Sequence, residues 1–369
     1  CGGHDSRGGE PHRRLGVCGH LFGRSLLRAG LGTMVFCSAP DSIPIRILVT
    51  GSRGKSSLVR LLTAALEGAG VSAAGRITGV LPREIFRGKE TLILRSGPGS
   101  VQEMRWWLRS LPGGTEGAVL ENSAVDPELQ GLAWRWMKPS CTVLTNVRPD
   151  HEEVWGRGEE AAAAALCGGI GGGTVILPCS VASVAAVPPI LGKKGCGLLP
   201  CPDGACYRET HLSLVSGVCS FLGLDSGKAL AAAREVAPDI ADFRLIREGR
   251  GILASAFSAN EPESTETLFQ STGWERQETT VLYNSRKDRV ARLRSFLPWL
   301  SEHSWKRVAV TGSRPLFLPS GAAFLSLRDP GELRAFVASE GKVFGCGNVA
   351  GVPLQYLLER EEGEERFLD

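Results

Sequence analysis

Three side chains in the first half of the chain are of the types that handle phosphate: Lys55, Glu121 and His151. Lys55 sits in the run TGSRGKS, Thr50–Ser56. Gly51 and Gly54 let this backbone curl so that successive N–H groups point inward. A helix opening at Ser56 adds its positive end, and Lys55 supplies a mobile cation. A nucleoside triphosphate fits such a cradle. The hydroxyl of Ser56 follows the lysine, where it can ligate a Mg²⁺ that bridges the β- and γ-phosphates. The candidate nucleotide-binding residues of the loop are therefore Gly51, Ser52, Arg53, Gly54, Lys55, Ser56 and Ser57. A full P-loop pattern wants a glycine five residues before Gly54; Val49 stands there, so this is a shorter T-G-x-x-G-K-S form.

Glu121 ends the apolar run GAVLE, and His151 lies in TNVRPDHEEVWG, just after CTVLTN. Ligands of an open parallel sheet bind at the carboxyl ends of its strands, so a carboxylate and an imidazole fall beside the loop as candidate Mg²⁺ ligands. Spacing alone serves another reading equally well, in which Glu121 caps the helix beginning near Pro127 and His151 satisfies a local carbonyl.

The elements that must position these groups alternate. Ile45–Thr50 is a short β-branched strand, Gly51–Lys55 a turn and Ser56–Leu66 a helix. Strand-like runs at Thr91–Leu94, Ala118–Leu120, Thr142–Leu144 and Val175–Leu177 follow, with helices at Val101–Leu111, Pro127–Met137 and Glu159–Cys167 between them. That order predicts an α/β fold, a mostly parallel sheet with helices on both faces. A Gly-, Pro- and Cys-rich passage, Gly168–Cys206, leads to the helical pair His211–Leu222 and Ser226–Val236. After Pro238 strands at Ile252–Phe257, Thr280–Tyr283, Arg307–Thr311 and Lys342–Gly345 alternate with helices near Pro262–Gly273, Lys287–His303, Pro330–Glu340 and Val352–Glu361. The expected division is a leader over 1–40, a phosphate-binding domain over 41–238 and a second α/β domain over 239–369.

A chain of 369 residues is long enough for two cores, and 43% apolar with 22% charged residues is a soluble globular composition. A net charge of +3, without a dense basic block, argues against a nucleic-acid partner. Eleven cysteines without a repeated short spacing suit reduced thiols rather than a disulfide framework. Cys196, Cys201, Cys206 and His211 fall five residues apart, wider than zinc ligands usually pair. A second TGSR, Thr311–Arg314, runs into Pro315 where Gly-Lys would be needed, and reads as a strand-to-loop turn. Residues Cys1–Gly32 read as a poorly ordered leader, with Met34 a candidate natural start. The apolar run Val17–Phe36 is interrupted by His20, Arg24 and Arg28, so no membrane helix is expected there.

Eight blocks resemble one family in an unbroken order from Ile45 to the C-terminus. They are TGSRGKSS, GRITGVLPR, LENSAVDPELQ, TNVRPDHEEVWG, APDIADFR, SAFSANEPEST, YNSRKDRVAR and VFGCGNVAG. The chain is similar to the ligase subunit of poly-γ-glutamate synthase, the PgsB/CapB type, within the Mur ligase superfamily. The resemblance implies a Mur-ligase-like central P-loop ATPase domain followed by a smaller Rossmann-like C-terminal domain. It also implies ATP and Mg²⁺ as cofactors. The reaction implied is phosphorylation of a glutamate carboxylate by ATP, followed by attack of another glutamate's amine, which elongates poly-γ-glutamate. Lys55, Glu121 and His151 become the catalytic set. Ser56 and Glu121 hold one Mg²⁺, and Glu121 with His151 a second. Arg244, Asn260 and Asp288 match positions facing the nucleotide, but Phe257 stands where Mur ligases carry an aspartate, which leaves the adenosine contacts open. Arg76, Arg83 and Arg95, with Thr78, lie on first-domain loops, where the arginines can read glutamate carboxylates as forked donors. Many Mur ligases carry a carbamylated lysine after the Asp-His pair; from His151 to Gly192 there is none, so no carbamate is expected. With only some forty residues before Ile45, binding of UDP-muramyl substrates is not expected. Membrane subunits of a synthesis and export complex are the expected partners of a cytoplasmic protein recruited to the inner membrane face. The alternatives are a Mur-like ligase for another amino acid or peptide, and a non-catalytic ATP-binding subunit.

Overall fold

β1 (Ile45–Thr50) takes the middle of an eight-stranded sheet because its inner residues need no water: Ile47, Leu48 and Val49 are buried from both sides. The computed structural model describes residues 42–79, 81–94, 99–259, 261–301 and 304–365. The leader 1–40, Arg95 and Asn260 lie outside the described residues.

The first sheet also contains β2 (Ala73–Ile77), β3 (Arg83–Phe86), β4 (Lys89–Leu92), β5 (Gly117–Glu121), β6 (Cys141–Leu144), β7 (Gly173–Pro178) and β8 (Cys196–Cys201). Their spatial order is β4-β3-β2-β5-β1-β6-β7-β8. β3 runs antiparallel to β2 and to β4, and the remaining pairs are parallel. Residues of β1 alternate between two cores. Ile47 and Val49 meet Leu58, Leu62 and Leu66 of the helix Lys55–Gly68, while Leu48 meets Met104 and Met137 of the helices Gln102–Ser110 and Pro127–Met137. Each fully buried leucine of the loop helix stabilises this packing by about 1.5–3 kcal/mol, and the helix is thereby fixed against the strand that feeds it.

The second sheet takes β9 (Arg244–Glu248), β10 (Gly251–Ser255), β11 (Thr279–Ser285), β12 (Arg307–Gly312), β13 (Ala323–Phe324) and β14 (Lys342–Cys346), ordered β13-β12-β11-β14-β10-β9. Only β9 is antiparallel to its neighbour. One face packs Phe269, Phe296 and Trp299; the other packs Phe257, Leu333 and Tyr356.

Several local expectations change. The strand expected at Thr91–Leu94 is the end of the hairpin β3–β4 rather than a parallel strand. β2 went unrecognised because AAGRI offers small residues and an arginine, yet all five residues are buried. The passage Gly168–Cys206 holds β8 and two short helices, Cys179–Ala182 and Val187–Lys193. The helix expected at Lys287–His303 spans Val290–Ser301.

Candidate active site

The loop after β1 needs glycine at two points. Gly51 has φ 134°, and a Cβ there would lie 2.1 Å from Thr145 Oγ1; Gly54 has φ 75°, and its Cβ would lie 2.5 Å from Tyr207 Oη. The segment after β6 braces the loop. Ser52 N donates to Asn146 O (3.1 Å), Ser52 Oγ to Arg148 O (2.6 Å) and Thr145 Oγ1 to Arg53 O (2.6 Å). Arg53 N and O are both held by the Asn146 amide, each at 3.1 Å. Helix Lys55–Gly68 has neither a side-chain N-cap nor an acidic first turn. Its first N–H groups are thus left to an anion from outside the helix. Lys55 Nζ folds back onto Gly51 O (2.7 Å) and Ser52 O (3.3 Å). Burial pulls the lysine pKa down, and the Glu121 and Asp150 carboxylates partly restore it.

Glu121 is 4% exposed at the carboxyl end of β5. Its Oε2 accepts from Ser56 Oγ (2.9 Å) and from Thr78 N (2.8 Å), so it ties the loop helix to the end of β2. It does not cap the helix Pro127–Met137; Asp126 does, accepting from Glu128 N at 2.8 Å.

His151 opens the short helix Glu152–Trp155 in a left-handed conformation, φ 48°, a strained choice for a non-glycine residue and common at functional sites. Its ring leans on Trp155, with Nε2 3.9 Å from Asp150 Oδ2 and Nδ1 3.6 Å from Glu153 Oε1. No ring hydrogen bond to a backbone carbonyl is present among the described residues. Burial lowers its pKa, opposed by Asp150, which keeps the imidazole neutral and able to ligate at neutral pH.

A cavity of about 420 Å³ gathers Lys55, Thr78, Glu121 and His151 from the first sheet with Ser258, Asn348 and three arginines from the second. Those arginines, Arg286, Arg289 and Arg292, escaped the sequence reading, as did Asp150. Their spacing of three along YNSRKDRVAR was the available signal. Arg292 Nη1 donates to Asn348 Oδ1 (2.5 Å) and Gly347 O (3.2 Å). Burial and the charges of Arg289 and Arg53 bring its pKa down to about 10. Arg289 stands 3.8 Å from Glu153, and Asp150 stands 3.8 Å from Arg53. Arg53 in turn reaches Ser258 O at 3.5 Å, across to the second sheet.

Other candidates lie elsewhere. Arg76 is 3% exposed and pairs with Glu103 (2.5 Å) and Glu84 (3.6 Å). Arg83 pairs with Glu90 (2.6 Å) and with Asp239. Asp288 is exposed and binds Arg286 in a fork (3.0 and 2.6 Å). Arg244 Nη2 donates to Asp239 O (2.6 Å), and Ser57 Oγ to Asp242 Oδ1 (3.2 Å). None of Arg76, Arg83, Asp288, Arg244 and Ser57 lines the cavity.

Among the described residues no group of three or more His, Cys, Asp or Glu could hold a metal ion by itself, the Cys196–His211 stretch included. Glu121 and Ser56 offer one carboxylate and one hydroxyl facing the phosphate loop. That donor set fits Mg²⁺ arriving with a nucleotide, since Mg²⁺ keeps several waters and takes one or two carboxylates beside phosphate oxygens.

A phosphate loop on a mostly parallel sheet, facing a second α/β sheet across one cavity, is the architecture of the Mur ligases. The crystal structure of MurF ligase from Thermotoga maritima in complex with ADP matches it with a TM-score of 0.62 at 14% identity, over 88% of this chain and 82% of that one. Within that architecture the chain is similar to the CapB proteins, as its motif blocks imply. Residues 240–363 match the family described as poly-gamma-glutamate synthase CapB C-terminal domain. The capsule biosynthesis protein CapB of Bacillus anthracis is 25% identical over 279 residues, 69% of this chain and 60% of that protein. PGA synthase CapB of Bacillus subtilis (strain 168) is 26% identical over 282 residues, 69% of this chain and 71% of that protein. The chain thus spans less than two thirds of the first of these relatives.

Proposed function

We propose that the chain is an ATP-dependent amide ligase that joins the γ-carboxyl of one glutamate to the amine of another and so elongates poly-γ-glutamate. The observation that carries this reading is the convergence of Lys55, Glu121 and His151 with Arg286, Arg289 and Arg292, from two sheets, on one cavity. Phosphorylating a carboxylate brings two anions together, and such a cluster supplies the compensating charge. The MurF structure with ADP and the CapB relatives support the nucleotide and the glutamate respectively.

In this reading the N–H groups of Gly51–Ser57 and Lys55 hold the phosphates. Ser56, Glu121 and His151 would hold Mg²⁺, which supplies charge neutralisation when bound. The γ-phosphoryl group passes to a carboxylate oxygen as ADP leaves. The amine nitrogen then bonds to the acyl carbon, phosphate departs and the nitrogen loses a proton. Lys55 is the single lysine lining the cavity among the described residues. We place the domain boundary near residue 238, and we assign membrane subunits as partners at the cytoplasmic face. No helix among the described residues is long and apolar enough to cross a membrane.

The test is ADP release by purified protein, screened across amino acids and γ-glutamyl peptides. Release that depends on glutamate or its γ-linked oligomers is expected. Nucleotide turnover that no amine or carboxylate substrate stimulates would refute the proposal.

A further inference from the structure

The segment 237–243 joins the two sheets, and it is stapled mainly to the first. Arg60 Nη1 donates to Ala237 O (2.8 Å), Arg208 Nη2 to Val236 O (2.9 Å), and Arg83 pairs with Asp239. Asp239 N donates to Asp242 Oδ2 (2.7 Å), which turns the Asp242 carboxylate toward the loop helix. Its other oxygen accepts a hydrogen bond from Ser57 Oγ at 3.2 Å. Ser57 lies in the first turn of Lys55–Gly68, the helix without a side-chain cap.

A serine hydroxyl has one proton to give. Here it is given to a fixed carboxylate at the end of a helix where, on the proposed function, nucleotide phosphates must dock. Phosphate and Asp242 are then like charges competing for one donor and one helix end.

We propose that Asp242 is a positioning residue that couples the phosphate loop to the segment joining the sheets: nucleotide phosphate takes the Ser57 hydroxyl from Asp242, and segment 237–243 loosens as it does. The inference rests on the loop being a nucleotide site. By reciprocity of linkage, whatever weakens the staple while leaving the Ser57 hydroxyl in place tightens nucleotide binding.

Two measurements separate this from a failure of the nucleotide reading. The first needs no nucleotide: hydrogen exchange of the amides at 239–243 should quicken in Asp242→Ala and in Ser57→Ala, since each removes one end of the staple. Unchanged exchange in both variants overturns the proposal while leaving the nucleotide site untouched. The second is calorimetric binding of Mg-ADP. Asp242→Asn, which keeps the shape and loses the charge, should bind about fivefold more tightly, and Ser57→Ala more weakly. In the wild type Mg-ADP should speed exchange at 239–243, and in Ser57→Ala it should not. Weaker or equal binding by Asp242→Asn, or slower exchange at 239–243 in wild type with ADP, overturns the coupling. A wild type that fails to bind Mg-ADP at all removes the coupling together with the nucleotide reading, even if the exchange arm confirms the staple.

Discussion

On the proposed function, Lys55 and Glu121 would act on the same charge from different elements, one as a cation folded over the loop, the other through Ser56. Each should matter most when charge moves to the γ-phosphate. Lys55→Ala and Glu121→Gln should each lower kcat by about 10²–10³, the usual loss of one preorganised electrostatic contact, with little change in thermal melting. Steady-state ADP release and a melting curve on the same preparation check both halves, and unchanged kcat in either variant would falsify its role. His211 makes a different kind of prediction. It is buried beside Tyr207, its Nδ1 has no hydrogen-bond partner, and burial brings its pKa from 6.5 down to about 3. The unfolded chain takes up a proton below 6.5 that the folded chain refuses until about 3. The stability is therefore complete above 6.5 and falls as the pH drops through that window. Urea unfolding at pH 7 and pH 5 should show the wild type losing about 2 kcal/mol more than His211→Gln; equal losses would mean that the imidazole is hydrated after all.

At the scale of elements, the β1–loop–helix unit was the most legible part. A β-branched run, two glycines and a leucine-rich periodicity agree with one another and with the packing. Gly54 is its most constrained point. Gly54→Ala puts a side chain at φ 75° and against the Tyr207 hydroxyl. It should cost about 1–2 kcal/mol in conformational strain and weaken nucleotide binding by more than that, because the loop must move to relieve the contact. Titration with a fluorescent ATP analogue beside a denaturation curve distinguishes the two effects; binding that falls no further than stability would show that the loop tolerates the shift. β2 was illegible for a physical reason. Its Arg76 interrupts the apolar pattern, yet the strand is buried because Glu84 and Glu103 neutralise that guanidinium. β8 was hidden likewise by glycine, proline and cysteine in CGLLPC, residues that read as loop until β7 is beside them.

The whole molecule decides what the second sheet contributes, and there single positions said least. Arg286, Arg289 and Arg292 are visible in the chain as three arginines, but only the docking of β11 and β14 opposite β1 and β5 turns them toward Lys55. Arg292→Ala removes a half-buried cation already braced by Asn348. We expect kcat/KM for ATP to fall about 10–100-fold, within the range of one buried charged contact, while Lys55→Ala and Arg292→Ala together cost less than the sum, since both serve one phosphate group. Strict additivity in that double-mutant cycle would separate the two residues.

The cavity lining sets four cations, Lys55, Arg286, Arg289 and Arg292, against two carboxylates, Glu121 and Asp150. The three arginines follow a strand of the second sheet, whereas Lys55 and both carboxylates belong to the first, so a strongly cationic wall faces a weakly anionic one and the two attract. On the proposed function, a triphosphate would neutralise the arginine surplus and take over as the tie between the two walls. The width of the unliganded cleft should follow ionic strength, because the Debye length shrinks from about 30 Å at 0.01 M salt to about 3 Å at 1 M. Small-angle scattering should record a smaller radius of gyration in dilute buffer than in high salt, and a radius indifferent to salt once Mg-ATP is bound.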